Sequence, residues 1–213
     1  MEAAVRRRLR APQRREHILA AALGAFAERG YRGASMREVA DAAGITKPVI
    51  YDHFGSKQAL YAELMTGIRD DLVSRSAGAM SLDAPLPARI RTAIDAFWAY
   101  VAERPAAVQV LFVIPRGEPD LRPQWDRVQA EVTETIAGML VSEPGLLAGE
   151  PDREVRLELF TEFLKKGMHG LAEWWIRHPE VPRETIVDVV FDSVWSGLGS
   201  RYSRQSGQRN DVA

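Results

Sequence analysis

The 213-residue sequence predicts an all-α fold. Apolar side chains recur at three- and four-residue intervals through most of the chain, as they do on one face of an amphipathic helix. Prolines and glycines separate these segments, and they stand where helices commonly begin or end. No segment of any length alternates apolar and polar residues as a half-buried strand does, so helices alone are expected.

The first helix is predicted over residues 13–29. Ile18, Ala22 and Phe26 follow the helical repeat and form one apolar face. Gly30 comes directly after this segment, where glycine commonly ends a helix because it tolerates a positive φ angle. The first helix therefore offers a surface on which later helices can pack.

Residues 35–54, SMREVADAAGITKPVIYDHF, predict two short helices, 36–43 and 47–54, that meet at a tight turn. Ser35 and Glu38 have the spacing of a capping box, in which each side chain accepts a hydrogen bond from the other residue's backbone N–H. Gly44 ends the first of these helices, and Thr46 is placed to cap the second. Such a pair has the pattern of a helix-turn-helix.

The rest of the chain predicts longer helices. Ser56 can cap the next helix, and prolines bound those that follow. These helices are expected at residues 57–76, 87–103, 105–113, 120–141, 152–177 and 183–202. The basic leader, residues 1–12, and the polar tail, residues 203–213, are expected to be disordered.

Composition excludes several classes of protein. The chain has no cysteine, so it cannot form a disulfide, a thiolate nucleophile or a cysteine-containing zinc site. No segment approaches the roughly 20 apolar residues of a membrane span, and no apolar stretch of the signal-peptide kind follows the N-terminal arginines. A soluble, cytoplasmic protein without membrane association is expected.

Charge is distributed unevenly along the chain. Residues 1–57 contain eleven Lys or Arg and six Asp or Glu, a net charge of +5, whereas the remainder carries −6. A chain polarised in this way indicates an anion-binding head on an acidic body. The overall charge of −1 conceals this asymmetry.

The second helix of the pair presents side chains of the kind that read a DNA groove. Ile50 and Phe54 face the core, which leaves the other side chains of this helix toward the outside: Lys47, Pro48, Val49, Tyr51 and His53. Arg37 and Lys47 can donate to guanine edges, while others can contact thymine methyl groups or phosphates. The candidate DNA-binding residues are Ser35, Arg37, Thr46, Lys47, Pro48, Val49, Tyr51, His53 and Lys57. The alternative is a structural hairpin with solvated polar residues, and the charge asymmetry favours DNA.

Over residues 13–64 the sequence resembles the DNA-binding head of TetR-type transcriptional repressors. The resemblance rests on RREHILAAA in the first helix, FAERGY at its end, residues 35–44, TKPVIYDHF, and the Ser56-Lys57 pair followed by Leu60. It implies a homodimer that represses transcription from a palindromic double-stranded operator and releases DNA when a small-molecule effector binds. By this resemblance residues 13–57 form the DNA-binding domain and residues 58–202 the helical effector-binding and dimerisation domain.

The same resemblance places DNA contacts on particular positions. Arg37 and the outward residues of the second helix fall on base or phosphate contacts, and Lys57 falls on a phosphate contact at the start of the fourth helix. His53 has a second interpretation, because a histidine at that position can equally pack between helices.

The last two helices carry long apolar faces. Such faces exceed what the core of one small subunit requires, which favours a two-fold interface between subunits. The candidate interface residues are Phe160, Leu164, Met168, Leu171, Trp175, Val190, Val194 and Leu198. The alternative is that these faces are buried within one subunit.

Middle helices of the body are expected to enclose an effector pocket. Few charges lie on their inner faces, so an apolar or aromatic effector is expected, with Gln109 and His169 as polar groups that could orient it. The candidate pocket residues are Phe97, Trp98, Val101, Gln109, Phe112, Trp125, Phe163 and His169. Each could instead be ordinary core packing.

Enzymatic activity is not expected. The histidines His17, His53, His169 and His178 show no HExxH pattern, and glycine-rich phosphate loops are absent. His169 and Glu173 share a helix face, where a surface hydrogen bond is favoured over a metal site. No cofactor or metal is therefore expected, and a protein-interaction adaptor is the remaining rival.

The arginine-rich leader RRRLR, together with Arg14 and Arg15, has two interpretations. It could be an arm that follows DNA phosphates or enters the minor groove. It could also be a solvated tail that adds only non-specific attraction, which is the favoured interpretation.

Overall fold

The computed structural model describes residues 11–112 and 119–206, and the side-chain surroundings of residues 13–112 and 119–196. Within the described residues the chain forms nine α-helices and no strand, so the all-α prediction is confirmed. The helices are α1 (Ala11–Gly33), α2 (Met36–Ala42), α3 (Lys47–Phe54), α4 (Lys57–Met80), α5 (Leu86–Glu103), α6 (Pro105–Phe112), α7 (Arg122–Val141), α8 (Arg153–Ile176) and α9 (Arg183–Ser206).

Both ends of the helical region differ from the prediction. α1 begins at Ala11, inside the stretch assigned to the leader, and continues to Gly33 across an interruption at Gly30, where φ is 67°. α9 runs through Ser206, so residues 203–206 are helical and do not belong to a disordered tail. Residues 1–10 and 207–213 lie outside the described residues.

Helices α1, α2 and α3 form a small head around one core. Ile18 of α1, Val39 of α2 and Ile50 of α3 are all fully buried. Gly44 adopts a φ of 63° between α2 and α3, a conformation that favours glycine and allows the sharp turn. The head is therefore the predicted helix-turn-helix packed on a supporting first helix.

Capping differs among the three helix starts. Ser35 and Glu38 make both hydrogen bonds of the capping box, at 2.9 and 3.2 Å. Ser56 Oγ accepts a hydrogen bond from the N–H of Ala59 at 3.0 Å and begins α4. Thr46 occupies the cap position of α3, but its side chain makes no capping bond, which corrects the sequence-based expectation.

The long helix α4 connects the head to a bundle formed by the later helices. It packs against α5 and α7, while α8 packs on α7 and α9 packs on α5. α6 lies between the two parts of the molecule, because it contacts α1 and α4 on one side and α8 on another. The head and the bundle thus share a continuous core.

Candidate nucleic-acid interface and interior cavity

The two faces of α3 differ sharply. Ile50 is fully buried, whereas Lys47 and Pro48 are exposed to solvent. Tyr51, one turn further, is also exposed, and Val49 is half-buried at the edge of this face. A short helix with this arrangement presents its outer side chains to any groove that accepts it.

Two cations stand on the exposed surface of the helix-turn-helix. Lys47 Nζ lies 5.8 Å from the centroid of the Tyr51 ring, so both side chains share the outer face of α3. Arg37, at the start of α2, lies 3.8 Å from Asp41, and both side chains are largely exposed. Because exposed pairs of this kind contribute little, the Arg37 guanidinium can turn toward an anion at small cost.

Lys57 is held more firmly than Lys47. Its Nζ lies 4.5 Å above the Tyr31 ring and 3.4 Å from the backbone carbonyl of Arg32, and the residue is half-buried. These contacts place the ammonium between the end of α1 and the start of α4. A cation in this position lies beside the N-terminus of α4, where the helix dipole also favours a negative charge.

Arg15 joins three helices in the head. Its Nε lies 2.6 Å from Glu63 of α4, and its Nη1 donates to the backbone carbonyl of His53 at 2.9 Å. The guanidinium also lies 4.5 Å above the Phe54 ring. Sequence reasoning assigned Arg15 to the charge of the leader, but the side chain fixes the end of α3 to α1 and α4.

His53 lies at this packed end of α3. The residue is half-buried, and its ring centroid is 6.2 Å from that of Phe54. Its backbone carbonyl is one of the two anchors of Arg15. This position agrees with the alternative in which His53 packs between helices.

The start of α2 is fixed electrostatically. The backbone N–H of Ser35 and its side chain, together with Arg29, hold the pKa of Glu38 below its ordinary value. The carboxylate is therefore ionised at neutral pH and keeps the capping box closed. Arg37, one residue before it, is presented from a rigid helix start.

An apolar cavity of about 120 Å³ lies in the bundle. This volume is several times what one water molecule requires. Its walls are residues of α4, α5, α7 and α8 with one from α9: Leu72, Val73, Ser76, Met80, Ile90, Ala93, Ile94, Phe97, Val132, Ile136, Met139, Leu140, Phe160, Thr161, Leu164, Lys165, Met168, His169 and Val194. Three of these are methionines, whose flexible side chains adapt to irregular ligands.

Polar groups of the cavity lie mainly on α8. Thr161, Lys165 and His169 follow one another at four-residue intervals and line one side. Thr161 Oγ1 donates to the carbonyl of Leu157 at 2.8 Å, so its hydrogen is engaged within the helix. This side of the cavity therefore has two other polar groups, the Lys165 ammonium and the His169 imidazole.

Lys165 is a buried cation that the sequence did not predict. Its Nζ donates to the carbonyl of Gln129 at 2.9 Å, to Glu162 at 2.5 Å and to the hydroxyl of Thr133. Burial lowers the pKa of Lys165, while the Glu162 carboxylate opposes that shift. The sequence analysis expected few charges on the inner faces, and Lys165 is a charge there that it did not name. The four-residue spacing from His169 was the available signal.

His169 is buried and stacks on Phe112, with ring centroids 3.8 Å apart and planes 14° from parallel. Burial, assisted by the positive charges of Lys165 and Lys166, lowers the pKa of His169 to about 3. The imidazole is therefore neutral at physiological pH. Among the described residues, His169 has stacking contacts but no hydrogen bond, so the expected surface bond to Glu173 is absent.

The structure places the predicted pocket residues in three locations. Phe97 and His169 line the cavity. Trp98, Val101, Phe112 and Trp125 lie in the surrounding core, where Trp125 donates to the carbonyl of Leu111 at 3.1 Å. Two assignments are corrected because their side chains point away from the bundle: Gln109 is exposed, and Phe163 is 77% exposed on the outer side of α8.

A shallow apolar groove runs between α8 and α9 on the outside of the bundle. Its lining includes the predicted interface residues Phe160, Leu164, Met168, Leu171, Val190 and Val194. Phe163 and Val189 border the groove and are largely exposed. A large apolar surface of this kind on an isolated subunit marks an interaction site.

Two of the predicted interface residues, Trp175 and Leu198, are not among those that line this groove. Trp175 is buried inside the subunit, where its ring packs edge-on against Trp98 at 5.6 Å and its Nε1 donates to the carbonyl of Val181 at 2.8 Å. This is a correction, because the indole already has a complete set of internal contacts. Leu198 lies outside the residues whose side chains are described.

Two features are absent from the part of the chain that the structure describes. No described helix is both long and apolar enough to span a bilayer. Within the same residues, no group of three or more His, Asp or Glu side chains is arranged to hold a metal ion.

Known proteins match both parts of the chain. Residues 18–64 match the model of bacterial regulatory proteins of the tetR family. The chain is 32% identical over 197 residues to the HTH-type transcriptional repressor KstR2 of Rhodococcus jostii, covering 89% of this chain and 93% of that protein. It is 28% identical over 193 residues to the HTH-type transcriptional activator FasR of Mycolicibacterium smegmatis, covering 90% and 85%.

The fold also matches solved structures. The transcriptional regulator FadR of Bacillus subtilis, in complex with stearoyl-CoA, superposes with a TM-score of 0.72 over 85% of this chain and 98% of that one, at 17% identity. At this identity the likeness concerns the fold alone. Together with the sequence relatives, it establishes that the chain belongs to the TetR family of bacterial regulatory proteins, which are DNA-binding transcriptional regulators and not enzymes.

Proposed function

We propose that this protein is a ligand-responsive repressor that binds a palindromic operator as a homodimer and is released by a small apolar or aromatic effector. The observation that carries the proposal is the division of α3 into a fully buried inner face at Ile50 and an exposed outer face with Lys47, Pro48 and Tyr51. An exposed helix with a basic first turn, held on a capped helix-turn-helix, suits the major groove of DNA.

The groove between α8 and α9 supports the proposed dimer. Phe163 is 77% exposed and Val189 is 59% exposed, and leaving such side chains in water is unfavourable. A two-fold related copy would cover them with the same groove, as an isologous interface requires. Two heads in one dimer can then contact two half-sites.

The effector class follows from the cavity. Its walls are mostly aliphatic and aromatic, with three methionines that can adapt to a flexible ligand. The FadR structure, which shares the fold, was solved with stearoyl-CoA, a ligand that carries a long apolar chain. An apolar chain or ring system is therefore the proposed occupant here. Repression is proposed because KstR2, the relative with the higher identity over the full chain, is a repressor.

The test is footprinting on genomic fragments that the purified protein retains. We expect two protected half-sites whose centres lie about 10 base pairs, or a multiple of that distance, apart. Lys47→Glu should weaken binding at least about tenfold, since it reverses a charge beside the phosphates. Lys166→Glu makes the same charge change on the exposed side of α8 and should leave operator binding unchanged.

Indifference of the wild-type protein to DNA at low salt would favour the adaptor alternative. Equal losses in the two charge-reversal variants would show that overall charge, and not the α3 surface, determines binding.

A further inference from the structure

The His169 imidazole is a buried polar group that faces the cavity. It is about nine-tenths buried, it lines the cavity wall, and among the described residues it makes no hydrogen bond. Its ring is held in place by the Phe112 stack. A buried polar group without a partner is costly, and buried polar groups in native proteins almost always have one. The geometry therefore leaves the His169 ring nitrogens to pair with a ligand.

Lys165 offers no corresponding position. An ammonium has three hydrogens to donate, and all three are directed to protein acceptors: Gln129, Thr133 and Glu162. The Glu162 carboxylate also balances its charge. A ligand carboxylate would have to displace one of these acceptors, and it would enter an apolar cavity without another cation to pair with.

We propose that the cavity selects an effector with an apolar body and one uncharged hydrogen-bonding group, a hydroxyl or a carbonyl, which binds the His169 ring. This inference rests on the proposed effector-responsive function and specifies the ligand class of that site. A neutral imidazole has one N–H donor and one ring-nitrogen acceptor, so either a carbonyl or a hydroxyl can pair with it. A free carboxylate is excluded as the preferred group.

An apolar part of the cavity wall determines the body of the ligand. Met80, Ile90, Met139 and Leu140 line it and offer no side-chain polar group other than the weakly accepting sulfurs. An alkyl chain or fused ring in this region buries apolar surface at about 25 cal/mol per Å². The ligand is thus amphipathic, with its polar group at α8.

The experiment is displacement of the neutral dye N-phenyl-1-naphthylamine from the full-length protein at pH 7.5. The competitors are 1-decanol, methyl decanoate and decanoate, which share an alkyl chain and differ in the polar group. We expect the alcohol or the ester to displace the dye at a concentration about tenfold or more below that of the ionised acid. His169→Phe keeps a ring on Phe112 but has no ring nitrogen, so it should raise the concentrations of alcohol and ester that displace the dye about tenfold and leave that of decanoate little changed.

His178 supplies a matched control. It also stacks on an aromatic ring, Trp174, at 4.0 Å, but its Nδ1 already pairs with the Trp174 carbonyl at 2.8 Å and it does not line the cavity. His178→Phe should leave all three displacement curves unchanged. If His169→Phe does not fold, His169→Gln retains a donor and an acceptor and should keep the wild-type order of competitors.

Three results would overturn the inference. Decanoate could displace the dye as well as the neutral competitors, His169→Phe could leave the alcohol and ester curves unchanged, or none of the three could compete. Each concerns the ligand class alone. Operator binding by the same preparation, measured in the absence of competitors, separately decides whether the protein is a DNA-binding regulator.

Discussion

The hydroxyl of Tyr61 in α4 donates a 3.0 Å hydrogen bond to the backbone carbonyl of Val110 in α6. The Tyr61 ring also packs edge-on against Phe26 and Tyr31 of α1, at 5.0 and 5.1 Å. Two residues beyond Val110, the Phe112 ring stacks on the cavity histidine. Tyr61 therefore joins the head to the short helix whose last residue, Phe112, stacks on a residue of the cavity wall. Burial raises the pKa of Tyr61 to about 12, so the phenol remains a donor at physiological pH.

The Tyr61 hydroxyl should contribute measurably to stability. Tyr61→Phe leaves the buried carbonyl of Val110 without its side-chain partner, and we expect a loss of about 1–2 kcal/mol in the free energy of unfolding. Urea denaturation measures it. Tyr100→Phe is the control, because in the described structure the buried Tyr100 hydroxyl has only the Arg104 side chain beside it and bonds to no backbone group, so its removal should change stability by less than about 0.5 kcal/mol. Similar losses of stability in both variants would show that the bond from Tyr61 to Val110 contributes no more than any buried hydroxyl.

Coupling between cavity and head provides a second measurement on the same residue. If α6 transmits the state of the cavity, a bound ligand weakens operator binding by some factor, and operator weakens ligand binding by the same factor. We expect Tyr61→Phe to reduce that factor and Tyr100→Phe to preserve it. Operator titrations with and without a saturating cavity ligand give the factor directly. An unchanged factor in Tyr61→Phe would place the coupling elsewhere, for example in α4 alone.

Arg15 should act through geometry and not through charge. Lysine keeps the charge but cannot contact Glu63 and the His53 carbonyl with a planar fork. We expect Arg15→Lys to cost about 1 kcal/mol of stability, a modest value because both partners are partly exposed. It should also weaken operator binding several-fold, because the end of α3 is loosened. Arg127→Lys at an exposed position of α7 should be silent in both assays. If Arg15→Lys changed neither stability nor operator binding, Arg15 would contribute only its charge, as the solvated-tail interpretation holds.

Local signals explain why the helices were predictable. The Ser35–Glu38 capping box, the positive-φ glycine at position 44 and the prolines between later helices each fix a boundary through interactions within a few residues. The structure reproduces these boundaries to within a few residues. The exception is Thr46, whose side chain does not cap. Thr46 stands at the sequence position of a cap, but the hydroxyl of an exposed threonine can equally bond to water.

Tertiary contacts explain why the cavity was harder to predict. Two adjacent rows of side chains run along α8. The row with Phe160, Leu164 and Met168 is apolar, and it is the row that the sequence pattern identifies. The structure turns the neighbouring row, Thr161, Lys165 and His169, into the bundle. Lys165 is accommodated there only because acceptors from α7 meet it, and such partners cannot be found by spacing within one helix.

Acid should destabilise the protein through His169. Its folded pKa of about 3 lies below the ordinary value of 6.5, with Lys165, Lys166 and Glu162 as the charged groups around it. The unfolded chain therefore binds a proton that the folded one excludes, so stability is constant above about pH 6.5 and falls between that value and pH 3. At pH 5 the loss attributable to this group is about 2 kcal/mol.

The measurement compares urea denaturation of wild type and His169→Phe at pH 7.5 and 5. Wild type should lose about 2 kcal/mol more than the variant on acidification, because phenylalanine cannot titrate. Parallel losses in the two proteins would show that other groups dominate the acid response.

Dimer formation should depend on the groove between α8 and α9. Phe163→Glu places a charge where the second copy is expected to pack, so light scattering after size exclusion should show monomers at micromolar concentration. Leu82→Glu makes the same kind of change at another exposed apolar residue, between α4 and α5, and should remain dimeric. Monomers in both variants, or in neither, would be inconsistent with this interface. The monomer should also bind operator more weakly, since it contacts one half-site.

Lys47 and Lys57 should affect DNA binding in different ways. Lys57 lies at the α4 N-terminus, beside Tyr31, and we expect it to contact a phosphate, which is the same beside every base pair. Lys57→Ala should weaken operator and random duplex alike, and it should lower the salt slope by about 0.9 for each phosphate that is no longer neutralised.

Lys47 stands instead in the first turn of α3, exposed beside Tyr51, where its side chain can reach base edges. Lys47→Ala should cost about 1–3 kcal/mol on the operator, affect random duplex less, and relax the preference at one position in each half-site. Lys166→Ala, at an exposed position on α8, controls for the loss of one positive charge. Titration of the three variants on both DNAs over a range of salt separates these contributions. Identical behaviour of Lys47→Ala and Lys57→Ala would mean that α3 does not read bases, because a helix that contacts only the backbone has no sequence preference to lose.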